Sequence, residues 1–239
     1  MILNQQHSST FIHCEIMSPK IVSIEGNIGA GKSTLLKHIQ QKANENSTNI
    51  VFMQEPVDLW ETVKDSASGE TILSKFYKDP ATYSFPFQVM AYTSRLAAFQ
   101  RIVAEHPDCQ IIVCERSLEA DRNIFAKMLS DDGMIDEVMY RVYMMLYDNT
   151  SHAFPIDTVI YLDADAEICL GRIGKRAREG ESKISVEYLR KCQQYYDNWM
   201  INLESAGKNV VRLNANIDTE YEPGDQGHKW VEQILNCLF

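Results

Sequence analysis

The chain has no run approaching the roughly 18 consecutive apolar residues that a membrane-spanning helix needs, and none of its six cysteines is spaced as Cys-x-x-Cys. The first absence argues against an embedded protein, the second against a zinc ribbon or a thioredoxin-type redox pair. Cys14, Cys109, Cys114, Cys169, Cys192 and Cys237 are expected as reduced thiols in a cytoplasmic protein, several of them in apolar runs where cysteine packs as a small hydrophobe. Positive charge is also short. Lys and Arg number 23 against 33 Asp and Glu, a net charge of -10, so neither nucleic acid nor an anionic membrane is an expected partner. No internal repeat or low-complexity tract occurs, which removes solenoids and scaffolds. Residues 1–19 hold no arginine, one acid (Glu15) and no apolar core, so neither a secretory signal nor a transit peptide fits. They read as a disordered extension, with Met17 as an alternative start, ahead of a single domain at 20–239.

Glycine is sparse, 11 in 239 residues, yet three fall in Gly26-Asn27-Ile28-Gly29-Ala30-Gly31-Lys32-Ser33, followed by Thr34. The apolar run Ile21-Val22-Ser23-Ile24-Glu25 precedes this stretch and the helix-like Leu35-Leu36-Lys37-His38-Ile39 follows it. Strand, loop, helix is the context that gives a phosphate-binding loop its meaning. The glycines let successive N–H groups turn toward one polyphosphate, and the helix N-terminus adds partial positive charge. Lys32 is placed to neutralise β and γ phosphates and Ser33 to ligate magnesium, so a nucleoside triphosphate is the expected ligand.

Four more β-rich runs follow, at 50–54, 110–114, 158–162 and 209–213, apolar almost throughout as strands buried on both faces are. Between them the pattern predicts helices at about 32–44, 59–78, 81–106, 118–130, 134–149, 165–178, 185–206 and 226–238. The expected fold is α/β: a five-stranded parallel sheet covered by helices, with ligands beyond the carboxyl ends of the strands. Three of those ends carry polar chemistry. The first runs into the phosphate loop, the second into Glu55-Pro56-Val57-Asp58-Leu59-Trp60, and the third into Glu115-Arg116-Ser117. An Asn-Lys-x-Asp guanine reader is missing, which excludes a GTPase switch. The third strand ends in Glu-Arg-Ser where a motor or helicase carries Asp. A carboxylate to orient and deprotonate a hydroxyl, with cations to balance a transferred phosphoryl group, is what a small kinase needs.

With GNIGAGKST at 26–34, EPVxxW at 55–60, YKDPxxYSFPFQ at 77–88, ERSxxADRxIFA at 115–126 and GRIGKRAREGE at 171–181, the chain resembles the deoxynucleoside kinases, the deoxycytidine and deoxyguanosine kinase group. The resemblance runs from about residue 21 to 213. It implies a three-layer phosphate-loop fold with a helical lid, Mg2+ with ATP as phosphoryl donor, and a deoxyribonucleoside as acceptor. It also implies Glu55 as general base, Arg116 on the 5′ oxygen and phosphates, and Glu115 reaching magnesium through water. Arg172, Arg176 and Arg178 match the lid arginines that neutralise the transition state and exclude water; Lys175 has no matched role. Gln88 matches the base reader, whose carboxamide both donates and accepts. Phe87 and Phe125 match the aromatics around the base, with Trp60 close by, and Tyr77 and Glu181 the pair on the sugar 3′-hydroxyl. Arg95 and Asp121 replace the apolar residues of thymidine-preferring members, which favours deoxyadenosine, deoxyguanosine or deoxycytidine.

Two features depart from the family: a shorter stretch between Trp60 and Tyr77 than in the vertebrate deoxycytidine enzyme, and Arg-Ala-Arg in place of Arg-Gly-Arg in the lid. Residues 214–219 occupy the place of the adenine-contacting loop. The resemblance further implies a homodimer, for which the Met- and Tyr-rich helices at 81–106 and 134–149 are candidates, although Met139, Tyr140, Tyr143, Met144 and Tyr147 also suit a core. The competing readings are a thymidylate-kinase-like nucleoside monophosphate kinase, which needs further cations for its acceptor's phosphate, and a silent structural subunit on the same fold.

Overall fold

The computed structural model describes residues 18–43, 49–178 and 180–238; Cys14, Met17 and nearly all of the proposed extension lie outside them. Five parallel strands form the sheet: β1 (Lys20–Gly26), β2 (Ile50–Met53), β3 (Ile111–Glu115), β4 (Ile156–Asp163) and β5 (Asn209–Asn214), in the order β2-β3-β1-β4-β5. All the residues of β3 and six of the seven of β1 are buried, the burial expected of central strands covered on both faces.

Parallel pairing brings the polar strand ends together. Ile24 pairs with Glu115 across β1 and β3, and Met53 with Cys114 across β2 and β3. The phosphate loop, Glu55 and Arg116 therefore leave neighbouring strands at one edge of the sheet, the carboxyl edge where such sheets bind ligands.

The helices are α1 (Lys32–Ala43), α2 (Val57–Thr62), α3 (Ile72–Lys78), α4 (Pro80–Glu105), α5 (Leu118–Ala120), α6 (Lys127–Asp131), α7 (Glu137–Thr150), α8 (Ala166–Arg176), α9 (Val186–Ser205) and α10 (Gln226–Leu238). One core cluster packs α1, α8 and α10 on the sheet through Leu35, Leu36, Ile39, Ile173 and Trp230. Another packs α4 and α7 through Tyr92, Phe99 and Tyr143.

Two helical expectations need correction. The single helix expected over 59–78 is two, because Asp65 accepts from the backbone N–H groups of Ala67 and Ser68 and Gly69 turns with φ 72°. That turn is closed by a bridge between Lys64 and Thr71, and Thr71 then caps α3. The helix expected over 118–130 is interrupted by a π-helical turn, Asp121–Ala126, a feature that recurs at functional sites.

The Met- and Tyr-rich face of α7 is also divided. Tyr143 is fully buried, and Tyr140, Met144 and Tyr147 pack against the core, whereas Val138, Met139, Val142 and Met145 form an exposed apolar stripe. No helix among the described residues is long and apolar enough to cross a membrane. Cys109, Cys114, Cys169 and Cys192 are buried and Cys237 exposed, all unpaired.

Candidate active site

The phosphate loop leaves β1 through backbone that only glycine adopts easily. Gly29 has φ 82°, and a Cβ there would lie 2.6 Å from the Cys169 carbonyl oxygen, well inside van der Waals contact. The same close approach seats the loop on α8. Asn27 locks the loop from its other side, donating to the Leu189 carbonyl at 2.9 Å and accepting from the Ile28 N–H at 2.9 Å. The Lys32 ammonium donates to the Asn27 carbonyl at 2.8 Å, which holds the cation against the loop. Burial, aided by Arg116, lowers its pKa to about 8, against the pull of Glu115 and Glu55. Ser33 donates to Glu115 at 2.7 Å.

Beyond the loop, Glu55 is half-buried and Arg116 and Arg95 are buried. One oxygen of Glu55 accepts from Arg116 Nε at 2.9 Å and from Arg95 Nη2 at 3.1 Å. Burial pushes this carboxyl up, but Arg116, Arg95 and Lys32 outweigh it and hold the pKa at about 2. Arg116 sits in left-handed backbone with φ 68°, rare for a residue with a side chain. Its guanidinium lies over the Phe125 ring, 4.5 Å from the centroid.

Arg95 forms a two-point pair with Asp121, 2.9 Å from Nε and 3.3 Å from Nη2, and gives Nη1 to the Glu115 carbonyl at 2.9 Å. Asp121 therefore faces the cavity while Arg95 stands behind it and reaches Glu55. The cavity holds the residues expected around a base and sugar: Trp60, Tyr77, Phe87, Gln88, Phe125 and Glu181. Phe87 stacks on Phe76 at 4.7 Å and meets the edge of Trp60 at 5.5 Å. Gln88 is buried and its side-chain oxygen has no hydrogen-bond partner among the described residues, so a polar ligand edge would relieve a costly orphan.

A second cavity lies on the outer side of the loop, lined by Gly29, Ala30, Gly31, Lys32, Ser33, Thr34, Arg172 and Tyr221 among others. The three arginines expected in a lid divide in their contacts. Arg176 and Arg178 line both cavities and bind Glu181, Arg176 at 2.6 Å and Arg178 at 3.4 Å. Arg172 instead donates to the carbonyls of Ala30, Ala215 and Ile217, strapping the phosphate loop to the 214–219 segment. Gly26, Asn27 and Ile28 take their places at the inner start of the loop, with Ile28 on the first cavity, the one lined by Trp60, Phe87 and Gln88.

Residue-type reasoning missed several contributors. Tyr188 lines the first cavity with a buried hydroxyl, and Lys175 lines the outer one. Beneath the site, Glu25 accepts from Ser117 at 2.6 Å and Tyr196 at 3.3 Å, and burial raises its pKa. An acid in a strand otherwise buried and apolar was the available signal.

Comparison with known proteins identifies the family. A family model described as deoxynucleoside kinase matches residues 22–235. The chain is 33% identical to a probable deoxycytidine kinase of fowlpox virus (strain NVSL), covering 88% of this chain and 85% of that one. It is 29% identical to the mitochondrial deoxyguanosine kinase of Xenopus laevis, covering 92% and 89%, and 32% identical to the deoxycytidine kinase of Homo sapiens, covering 77% and 76%. With a family model matched over residues 22–235 and relatives of 32–33% identity over three quarters or more of its length, the chain belongs to the deoxynucleoside kinase family.

Proposed function

We propose that the protein transfers the γ-phosphoryl group of ATP to the 5′-hydroxyl of a deoxyribonucleoside, with deoxyadenosine, deoxyguanosine or deoxycytidine preferred over thymidine. The observation that carries this reading is the sharing of one wall by two cavities: Gly29, Lys32, Ser33, Glu115, Arg176 and Arg178 line both. Two ligands meeting across such a wall react directly, and the entropy of bringing them together is met by binding.

Glu55 orients the hydroxyl and takes its proton as the oxygen attacks phosphorus. Its pKa of about 2 describes the clamp of arginines before substrate arrives; that clamp keeps the carboxylate ionised and aimed. Arg116 and Lys32 bind the oxygens that gain charge, and the lid arginines Arg176 and Arg178 add to them once a nucleotide competes with Glu181. The Ser33 hydroxyl and Glu115 carboxylate are hard oxygen donors at the loop, and no group of three or more metal-ligating side chains occurs among the described residues. This set suits Mg2+ held mainly by phosphate oxygens and water, where it would supply charge neutralisation. Away from the wall it shares with the outer cavity and from Arg116, the acceptor cavity offers Tyr77, Gln88 and Glu181, which favours an uncharged sugar over a nucleoside monophosphate. Through the stripe Val138, Met139, Val142 and Met145 a second copy would pack as a homodimer.

Purified protein with Mg-ATP should phosphorylate deoxynucleosides, with kcat/KM ranking a purine or cytosine substrate above thymidine. Phosphorylation of dTMP but of no nucleoside would overturn the reading, and a clear thymidine preference would overturn the use of Arg95 and Asp121.

A further inference from the structure

Arg116 is held by more than its substrate-side partners. Its Nη1 donates to the Tyr196 hydroxyl, which in turn donates to Glu25 at 3.3 Å. Glu25 also accepts from Ser23 at 2.5 Å and from Ser117 at 2.6 Å, and the Ser117 hydroxyl caps α5 by accepting from the Ala120 N–H. Tyr196, Glu25 and Ser23 are fully buried and Ser117 nearly so. A single chain of hydrogen bonds therefore runs from the middle of β1, through α9, to the guanidinium that grips Glu55. The residues behind Arg116 come from three separate parts of the sequence, and Ser23, Glu25, Ser117 and Tyr196 do not line the acceptor cavity.

A planar guanidinium is useful at a transferring phosphoryl group only when its plane is fixed. Phe125 covers one of its faces, and Glu55 holds Nε. Glu55, however, is the group expected to turn toward the acceptor hydroxyl, and when it does so that anchor weakens. Tyr196 supplies the anchor that does not move, since its ring is packed against Tyr161 at 5.7 Å, Trp199 at 6.3 Å and Phe125 at 6.4 Å.

We propose that Tyr196, backed by the Glu25 carboxylate, is a positioning residue that holds the Arg116 guanidinium in its reactive orientation throughout phosphoryl transfer. This rests on the kinase reading above, and it assigns a role to an acid in β1 and an aromatic in α9 that touch neither ligand. Two distinguishable tests follow.

The first is kinetic. Tyr196→Phe keeps the ring and its packing and removes only the hydroxyl. Losing one hydrogen bond to a charged group is expected to lower kcat about tenfold or more, with the KM values for nucleoside and ATP within about twofold. Glu25→Gln should give the same split. A kcat within about twofold of the parent, or a lowered melting temperature without a kcat effect, overturns the proposal. A wild-type protein inactive on every deoxynucleoside sinks the kinase reading instead.

The second needs neither catalysis nor a variant that folds. In 15N-labelled wild-type protein without ligands, the Arg116 Nη signals should be separately resolved because rotation of the held guanidinium is slow, and they should merge in Tyr196→Phe. Merged signals in the wild type would overturn the proposal even if both variants fail to fold.

Discussion

Replacing Glu55 by glutamine keeps the shape of the side chain and removes its charge from between two guanidiniums. In the native protein one carboxylate oxygen serves both Arg95 Nη2 and Arg116 Nε. The fall of its pKa from 4.5 to about 2 corresponds to roughly 3 kcal/mol of preference for the ionised form. The variant leaves two buried arginines sharing a neutral amide, so its stability should drop by up to about that amount, a fall in melting temperature of roughly 6–10 °C for a chain of this size. The sign with pH follows from a depressed folded-state pKa. The stabilisation is fully present above pH about 4.5 and is lost as pH falls toward about 2. Melting temperatures of parent and variant should thus be well separated near neutrality and converge in acid. In steady-state assays kcat should fall about 10^2- to 10^4-fold, the usual contribution of a positioned base, with little change in the KM for nucleoside. An unchanged kcat would remove Glu55 from proton transfer, and a gap in melting temperature that stays constant down to pH 3 would refute the electrostatic account of its clamp.

Lys32, with its pKa lowered to about 8, should make kcat/KM for ATP fall on the alkaline side with an apparent pKa near 8, since the free enzyme there loses the cation that meets the phosphates; a profile flat to pH 9.5 would contradict this. Ala177 closes α8 in left-handed backbone, φ 51°, which costs a non-glycine residue about 1 kcal/mol. Ala177→Gly should therefore leave the melting temperature unchanged or raise it slightly, and a clear fall would show that the left-handed cap is not strained. Val142→Asp, on the exposed stripe of α7, should shift sedimentation toward monomer while leaving the melting temperature of the monomer nearly intact; an unaltered sedimentation coefficient at every concentration would place any self-association elsewhere.

What the sequence made legible, and what it hid, divides by the range of the forces involved. The central strands were readable because a strand covered on both faces must be apolar along its length, as Ile111 to Cys114 are. The less buried edge strands β2 and β5 still carry short apolar runs, Ile50 to Met53 and Val210 to Val211. The phosphate loop was readable because its chemistry is local, set by glycines and a lysine within eight positions. The break between α2 and α3 was missed, since one Asp65 side chain bonding two N–H groups outcompeted a pattern that suited a helix. The network from Glu25 through Tyr196 to Arg116 depends on contacts between residues up to 171 positions apart, which no window of sequence contains. Arg172 shows the same limit. A motif places it among phosphate-binding arginines, but its partners are three carbonyl oxygens and the Asp218 carboxylate, on two loops.

The buried charges around the two cavities bear on the proposed role of Arg176 and Arg178. Lys32, Arg95 and Arg116 are buried with Glu25, Glu115 and Asp121, and the half-buried Glu55 brings the acids to four against three cations. Such a site is close to self-neutralised before any ligand enters, so it folds without stranding charge in a low-dielectric interior. It also has no surplus cation for a triphosphate. The surplus must come from groups that can be released on demand, and Arg176 and Arg178 fit because both are tied to one acid, Glu181, at the edge of the acceptor cavity. A sugar hydroxyl that engages Glu181 weakens its hold on two arginines, while phosphates across the shared wall attract them. Nucleoside and nucleotide should consequently bind with positive coupling, each lowering the Kd of the other by the same factor. Calorimetric titration of a deoxynucleoside with and without a non-hydrolysable ATP analogue measures that factor directly. Removal of the Glu181 carboxylate by Glu181→Gln should bring it near one, and a coupling that survives the substitution would show that the arginines are not held in exchange.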